Sequence, residues 1–145
     1  MKTTVGIFLK TELWTDIKPE NILLDGQNGI RLCDFGMTKF LNDKDNATCQ
    51  LGGTTEYCAP EQIQFDPLTP SADMWSIGCC AYVLLSKTSP FRREEVHETQ
   101  NAVIEVDYDF EDNIWKTRSN SSKDFIRQLL VKNPKVNILK LRTLR

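Results

Sequence analysis

The chain has 145 residues, 40% of them hydrophobic and 26% charged, the ordinary balance of one folded domain long enough to bury a core. Its 18 basic and 20 acidic side chains give a formal net charge of −2, so no large positive field exists to collect nucleic acid. Five cysteines at irregular positions fit neither a disulfide framework nor a paired zinc-ligand spacing, and no stretch approaches the ~20 apolar residues of a membrane span.

Near the start, the apolar run at 5–9 is too brief for a signal-peptide core. Cys33, Cys49, Cys58, Cys79 and Cys80 then read as reduced thiols of a cytoplasmic or nuclear protein. Residues 21–24 and 30–33 are short β-prone runs separated by Asp25-Gly26-Gln27-Asn28-Gly29, which predicts a small hairpin with Asp34 directly after its second strand. From 37 to 58 the sequence is polar and aperiodic and reads as a mobile loop. Pro60 suits the first turn of a short helix over 61–65, which Asp66-Pro67-Leu68-Thr69-Pro70 breaks.

Ser71 can cap the next helix, 72–86, which is apolar nearly all round and so requires burial on every side. Trp75 belongs to its core. Ser89-Pro90-Phe91 ends that region, 94–103 reads as a polar, exposed helix carrying the single histidine, His97, and 106–110 as extended chain. Ser121 or Ser122 can cap a last helix over 123–131, with Phe125, Ile126, Leu129 and Leu130 on one face and Asn133-Pro134 as its stop. There is no internal repeat.

Four blocks carry chemistry. Asp16-Ile17-Lys18-Pro19-Glu20-Asn21 is followed thirteen residues after Asn21 by Asp34-Phe35-Gly36, then by Gly53-Thr54-Thr55-Glu56-Tyr57-Cys58-Ala59-Pro60-Glu61 and by Ala72-Asp73-Met74-Trp75-Ser76-Ile77-Gly78. Singly, an Asp, a Lys or an Asn in a loop is most often a solvated or capping group. In this order the blocks resemble the catalytic loop, metal-binding segment, activation-segment end and central helix of eukaryotic protein kinases. Ser89-Pro90-Phe91, Tyr108-Asp109-Phe110 and the segment 123–132 are closest to the calcium/calmodulin-dependent group, especially death-associated-like kinases.

The resemblance implies a mainly α fold with one small β-hairpin: a protein-kinase C-lobe over 13–137, preceded by a divergent segment 1–12 and followed by a basic tail 138–145. It also implies a truncated domain, because the family's glycine-rich lid, ATP-holding lysine and helical glutamate would lie upstream. Asp16 stands where relatives orient the acceptor hydroxyl, and Lys18 where an ammonium approaches the phosphoryl group. Asn21 and Asp34 stand at the magnesium ligands, and Lys18, Asn21 and Asp34 together at the nucleotide-binding positions. Thr54 resembles a hydroxyl contacting the catalytic pair, or is a turn hydroxyl. Glu20 resembles a carboxylate recognising a basic substrate residue, or is solvated. Asp73 would brace the catalytic loop, a structural role. The implied cofactors are Mg2+ and ATP; the implied partner is a protein substrate or a partner kinase, with no nucleic acid and no membrane.

The chain departs from the family in several places. Trp14-Thr15 precede Asp16 where relatives have His-Arg, which removes the usual partner of an activation-loop phosphate. Asn137 replaces an arginine that pairs with the glutamate of the A-P-E block, leaving Glu61 to be hydrated, protonated or re-paired, with Lys135 as a substitute cation. No helix precedes the catalytic loop to cover 72–86, so exposed apolar surface and self-association are expected. Three readings follow: a serine/threonine kinase lobe inactive without its upstream half, a pseudokinase-like binding module, or a non-functional fragment of an incomplete gene model.

Overall fold

In the computed structural model, residues 12–14, 16–27, 29–34, 36, 39–40 and 55–133 are described. The molecule is organised around its longest helix, Ser71–Ser86. Four two- or three-residue strands occur in chain order: β1 (Glu12–Leu13), β2 (Ile22–Leu24), β3 (Ile30–Leu32) and β4 (Lys39–Phe40). Four helices follow, α1 (Pro60–Ile63), α2 (Ser71–Ser86), α3 (Val96–Glu105) and α4 (Asn120–Leu129), with single 3-10 turns at Pro19–Asn21, Thr55–Tyr57 and Asn113–Thr117.

The expected hairpin is β2 against β3, antiparallel, with Ile22 opposite Leu32 and Leu24 opposite Ile30. A second antiparallel pair, β1 with β4, corrects the reading of 37–58 as loop throughout, because Lys39 and Phe40 pair with Leu13 and Glu12. Two-residue strands are too short to show a period, and only tertiary pairing specifies them.

Trp75 is 1% exposed and stacks on Phe91 with ring centroids 5.2 Å apart. Further along α2, Tyr82 packs on Trp115 at 4.8 Å, and Phe110 meets the same indole edge-on at 4.7 Å. The hydroxyl of Tyr82 donates to the carbonyl of Asp109 at 3.0 Å, tying 107–110 to the core as irregular chain. Such offset and edge-to-face contacts suit the aromatic quadrupole and add to the burial of large apolar areas. Gly78 lets α4 approach: a Cβ there would lie 2.8 Å from Leu130 Cδ2 and 2.9 Å from Leu129 Cβ.

Several helix details differ from expectation. Ser71 lies inside the first turn of α2, and Thr69 serves that end by accepting the N–H of Ala72 on its carbonyl at 3.0 Å. Ser119 caps α4, its hydroxyl accepting the N–H of Ser122 at 3.1 Å, so the cap precedes Ser121 and Ser122. Helix α3 buries Thr99, Ala102 and Val103 and is amphipathic. It ends at Val106, whose φ of 58° is left-handed, so the extended chain expected over 106–110 does not start there, and 107–110 is irregular. Phe125 is 46% exposed, whereas Ile126, Leu129 and Leu130 are buried. Arg127 instead covers Phe110 from above at 4.9 Å, a cation–π contact.

Burial of α2 is not all round. Leu84 is 71% exposed, and Ile77 and Ala81, on the same face at helical spacing, are only partly covered. The apolar surface expected on this helix is therefore present among the described residues.

Glu61 is buried at 7% exposure in α1, and no cation among the described residues pairs with it. Lys135 lies outside the described residues. Burial raises the Glu61 carboxyl pKa above its usual value, partly opposed by its own backbone N–H. A raised folded pKa means stability is fully present below the unfolded value and is lost as pH rises through the folded one. Glu61→Gln is thus expected to stabilise the chain by about 1–3 kcal/mol at pH 7, with no gain near pH 4. Urea denaturation at both pH values checks it.

Candidate active site

The site is assembled on the stretch from Trp14 to Asn21, which α2 holds from below. The backbone N–H of Trp14 donates to both carboxylate oxygens of Asp73, each at 3.2 Å. Asp73 is 1% exposed in the first turn of α2, so a charge-bearing acceptor at the start of the core helix grips the incoming strand. This is the bracing role expected of it. Ile17 is buried, and the Cys80 thiol approaches its carbonyl at 3.9 Å.

Pro19 then starts a 3-10 turn that brings Asn21 back under Asp16. Asn21 is 8% exposed; its Nδ2 donates to the Asp16 carbonyl at 2.9 Å and to Asp16 Oδ2 at 3.1 Å. Lys18 Nζ pairs with the same Oδ2 at 2.9 Å. The hydrogen bond to Asp16 raises the Lys18 pKa, assisted by the charges of Asp16, Glu20 and Asp34, against a smaller opposing effect of burial. Lys18 therefore stays an ammonium throughout the physiological range.

These bonds use the backbone carbonyl and one carboxylate oxygen of Asp16, and the amide nitrogen of Asn21. Among the described residues no donor meets Asp16 Oδ1 or Asn21 Oδ1. One carboxylate oxygen is thus open to accept a hydroxyl proton or hydrogen bond, and one amide oxygen is open to a cation.

Asp34 is delivered by the hairpin register. The β2–β3 ladder continues one step past the strands, with the N–H of Cys33 donating to the Asn21 carbonyl at 2.9 Å. Asp34 follows directly, exposed, with φ of 62°, and its Oδ1 accepts the N–H of Gly36 at 3.1 Å. A left-handed non-glycine residue next to candidate chemistry is where backbone strain tends to be kept. The far end of the hairpin is closed by Asp25, whose Oδ1 accepts the N–H groups of Gly29 at 2.7 Å and Gln27 at 3.0 Å. Those bonds, Gly29 first, hold its carboxyl below the usual range.

The structure thus ties Asp16, Lys18 and Asn21 together directly and sets Asp34 one residue from the Asn21 partner. Thr54 and Phe35 lie outside the described residues. Glu20 is exposed and His97 lies on the surface of α3, as expected. A carboxylate and an amide oxygen are hard donors of the kind magnesium accepts, and such ions are usually held by one or two carboxylates plus phosphate oxygens. Among the described residues no three His, Cys, Asp or Glu gather into a cage of protein ligands. The Asp34 carboxylate and the Asn21 amide oxygen are of the donor type such an ion takes.

Sequence reasoning missed two supports. Ser76 on α2 donates to the Tyr57 carbonyl at 2.9 Å, fixing Thr55–Tyr57 to the core helix. Arg92 reaches Glu56 at 3.7 Å from 36 residues away, a pairing with no local signal. Four cysteines among the described residues, Cys33, Cys58, Cys79 and Cys80, are free thiols. Burial pushes the Cys80 thiol up to about 12 and that of Cys79 well above its usual value, so neither is a nucleophile at neutral pH.

Residues 7–138 match the family model described as protein kinase domain. The chain is 43% identical over 121 residues to death-associated protein kinase 2 of Homo sapiens, covering 81% of this chain and 32% of that protein. It is 42% identical over 120 residues to a titin homolog of Caenorhabditis elegans, covering 81% of this chain and 1% of the relative. A probable myosin light chain kinase of Dictyostelium discoideum is 37% identical over 123 residues, covering 82% of this chain and 31% of the relative. The chain spans about a third or less of the length of these relatives.

Proposed function

Because the chain belongs to the protein kinase family, similar to death-associated serine/threonine kinases, we propose that residues 13–137 supply the acceptor-orienting, metal-holding face of a phosphotransfer site. The observation that carries this reading is the sharing of Asp16 Oδ2 between Lys18 and Asn21, which leaves Asp16 Oδ1 open. Asp16 accepts the hydrogen bond of a substrate serine or threonine hydroxyl and orients its oxygen. Lys18 offsets charge on the transferring phosphoryl group. Asn21 Oδ1 and the Asp34 carboxylate hold magnesium, and Thr54 is assigned a contact to the Asp16–Lys18 pair. Magnesium, when bound with ATP, neutralises phosphate charge.

The 145-residue sequence holds no glycine-rich phosphate lid, so turnover by these residues depends on that half being supplied. Alone, the chain binds nucleotide without turnover. Free thiols suit a reducing compartment, cytosolic or nuclear, and no helix of the described residues is long and apolar enough to cross a membrane.

Calorimetric titration of the full chain with magnesium-ATP tests the proposal. Magnesium-dependent binding that weakens at least tenfold in Asp34→Ala is expected; binding indifferent to magnesium or to Asp34 would overturn it. A second reading, a protein-binding module that self-associates or holds a partner kinase, is favoured by exposed Leu84 beside partly covered Ile77 and Ala81. A monomeric sedimentation profile without such a partner bound counts against it.

A further inference from the structure

A cavity of about 430 Å³ is lined by Glu56, Tyr57, Val83, Lys87, Ser89 and Arg92 among others. The Ser89 hydroxyl in this lining is buried and has no hydrogen-bond partner among the described residues. The cavity's position relative to the catalytic loop is set by α2, where Ser76 donates to the Tyr57 carbonyl at 2.9 Å and, one turn on, the Cys80 thiol approaches the Ile17 carbonyl at 3.9 Å. Ser76 fixes the Tyr57 backbone to α2, which makes this wall of the cavity rigid.

Glu56 is the inner acid, with a side chain only 21% exposed, and Arg92 is its partner at 3.7 Å. The Arg92 side chain is 75% exposed, so the cation sits at the rim and reaches in. A long ion pair of this exposure is worth little and exchanges readily. A basic side chain entering the cavity would compete with Arg92 for the Glu56 carboxylate. Lys87, also on the rim and in no ion pair among the described residues, adds a second positive charge against such a ligand.

We propose that Arg92 is a substrate-selectivity residue: it occupies Glu56 in cis and competes with a basic side chain of the peptide whose hydroxyl Asp16 orients. This rests on the kinase reading above, and its consequence is a site that discriminates against arginine-rich peptides.

The test uses the full chain, wild type and variant, with two fluorescent serine peptides, one bearing arginines before the serine and one with alanines in their place. Anisotropy titration is expected to show Arg92→Ala binding the arginine peptide two- to fivefold more tightly, the span available to an exposed ion pair. The alanine peptide is expected to bind unchanged, and Glu56→Gln in the same background to remove the gain. Equal gains for both peptides, no gain, a gain that survives Glu56→Gln, or no peptide binding by any variant would each overturn the inference. Magnesium-ATP titrations on the same samples separate the two levels. Normal nucleotide binding without the peptide effect sinks the role of Arg92 alone, whereas absent nucleotide binding sinks the kinase reading.

Discussion

Asp73→Ala is expected to lower the unfolding free energy by about 1.5–3 kcal/mol, the range for a hydrogen bond to a charged group. Both oxygens of this 1%-exposed carboxylate accept the Trp14 N–H, so truncation leaves a donor without its acceptor and an emptied space under the strand. The damage should be local as well as global. Asp16 N–H donates to the Trp14 carbonyl at 2.7 Å, and Asp16 in turn holds Lys18 and Asn21, so freeing Trp14 loosens the whole loop. Hydrogen exchange should therefore accelerate at Trp14 and Asp16 more than at Val103 or Ile126. Asp73→Asn keeps the shape but loses the charge and one acceptor, and should cost less. A denaturation midpoint for Asp73→Ala equal to wild type would show that the brace is incidental.

Asn21→Ala is expected to weaken magnesium-dependent nucleotide binding by about 10–100-fold, the range for groups that hold or orient metal ligands. The same change should cost about 1–3 kcal/mol of stability. The two effects have different atoms behind them. Nδ2 fixes Asp16 by two bonds, whereas Oδ1 is the open oxygen. Asn21→Asp separates them: it retains an oxygen ligand but cannot donate to Asp16, and it sets two carboxylates against each other. It should recover cation affinity relative to alanine while leaving the loop disordered by hydrogen exchange. Equal nucleotide affinity in wild type and Asn21→Ala would remove Asn21 from the site.

How much of this was legible in the chain depends on distance along it. Asp16, Lys18 and Asn21 lie within six residues, so a single turn starting at Pro19 joins them, and the motif states their grouping almost completely. Asp34 is legible through the hairpin, because pairing of Asn21 with Cys33 makes the next residue its neighbour. The core helix is marked by its apolar run, but which face stays open is not, since that depends on what packs against Ile77, Ala81 and Leu84. Caps are ambiguous for a local reason: Ser119, Asn120, Ser121 and Ser122 are all capping types, and only the geometry selects Ser119. Val106 is opaque for the opposite reason, because a β-branched residue is a poor guess for a left-handed position. Pairs such as Glu56 with Arg92 carry no periodic or motif signal at all.

The most direct test of the central claim is a paramagnetic one. Manganese(II)-ATP added to the isotope-labelled chain should broaden the amide signals of Asp16, Asn21, Cys33 and Asp34 first, while those of Val103 and Ile126 stay sharp. Broadening centred elsewhere, or none at concentrations that saturate binding, would contradict a nucleotide-bound ion at Asn21 and Asp34.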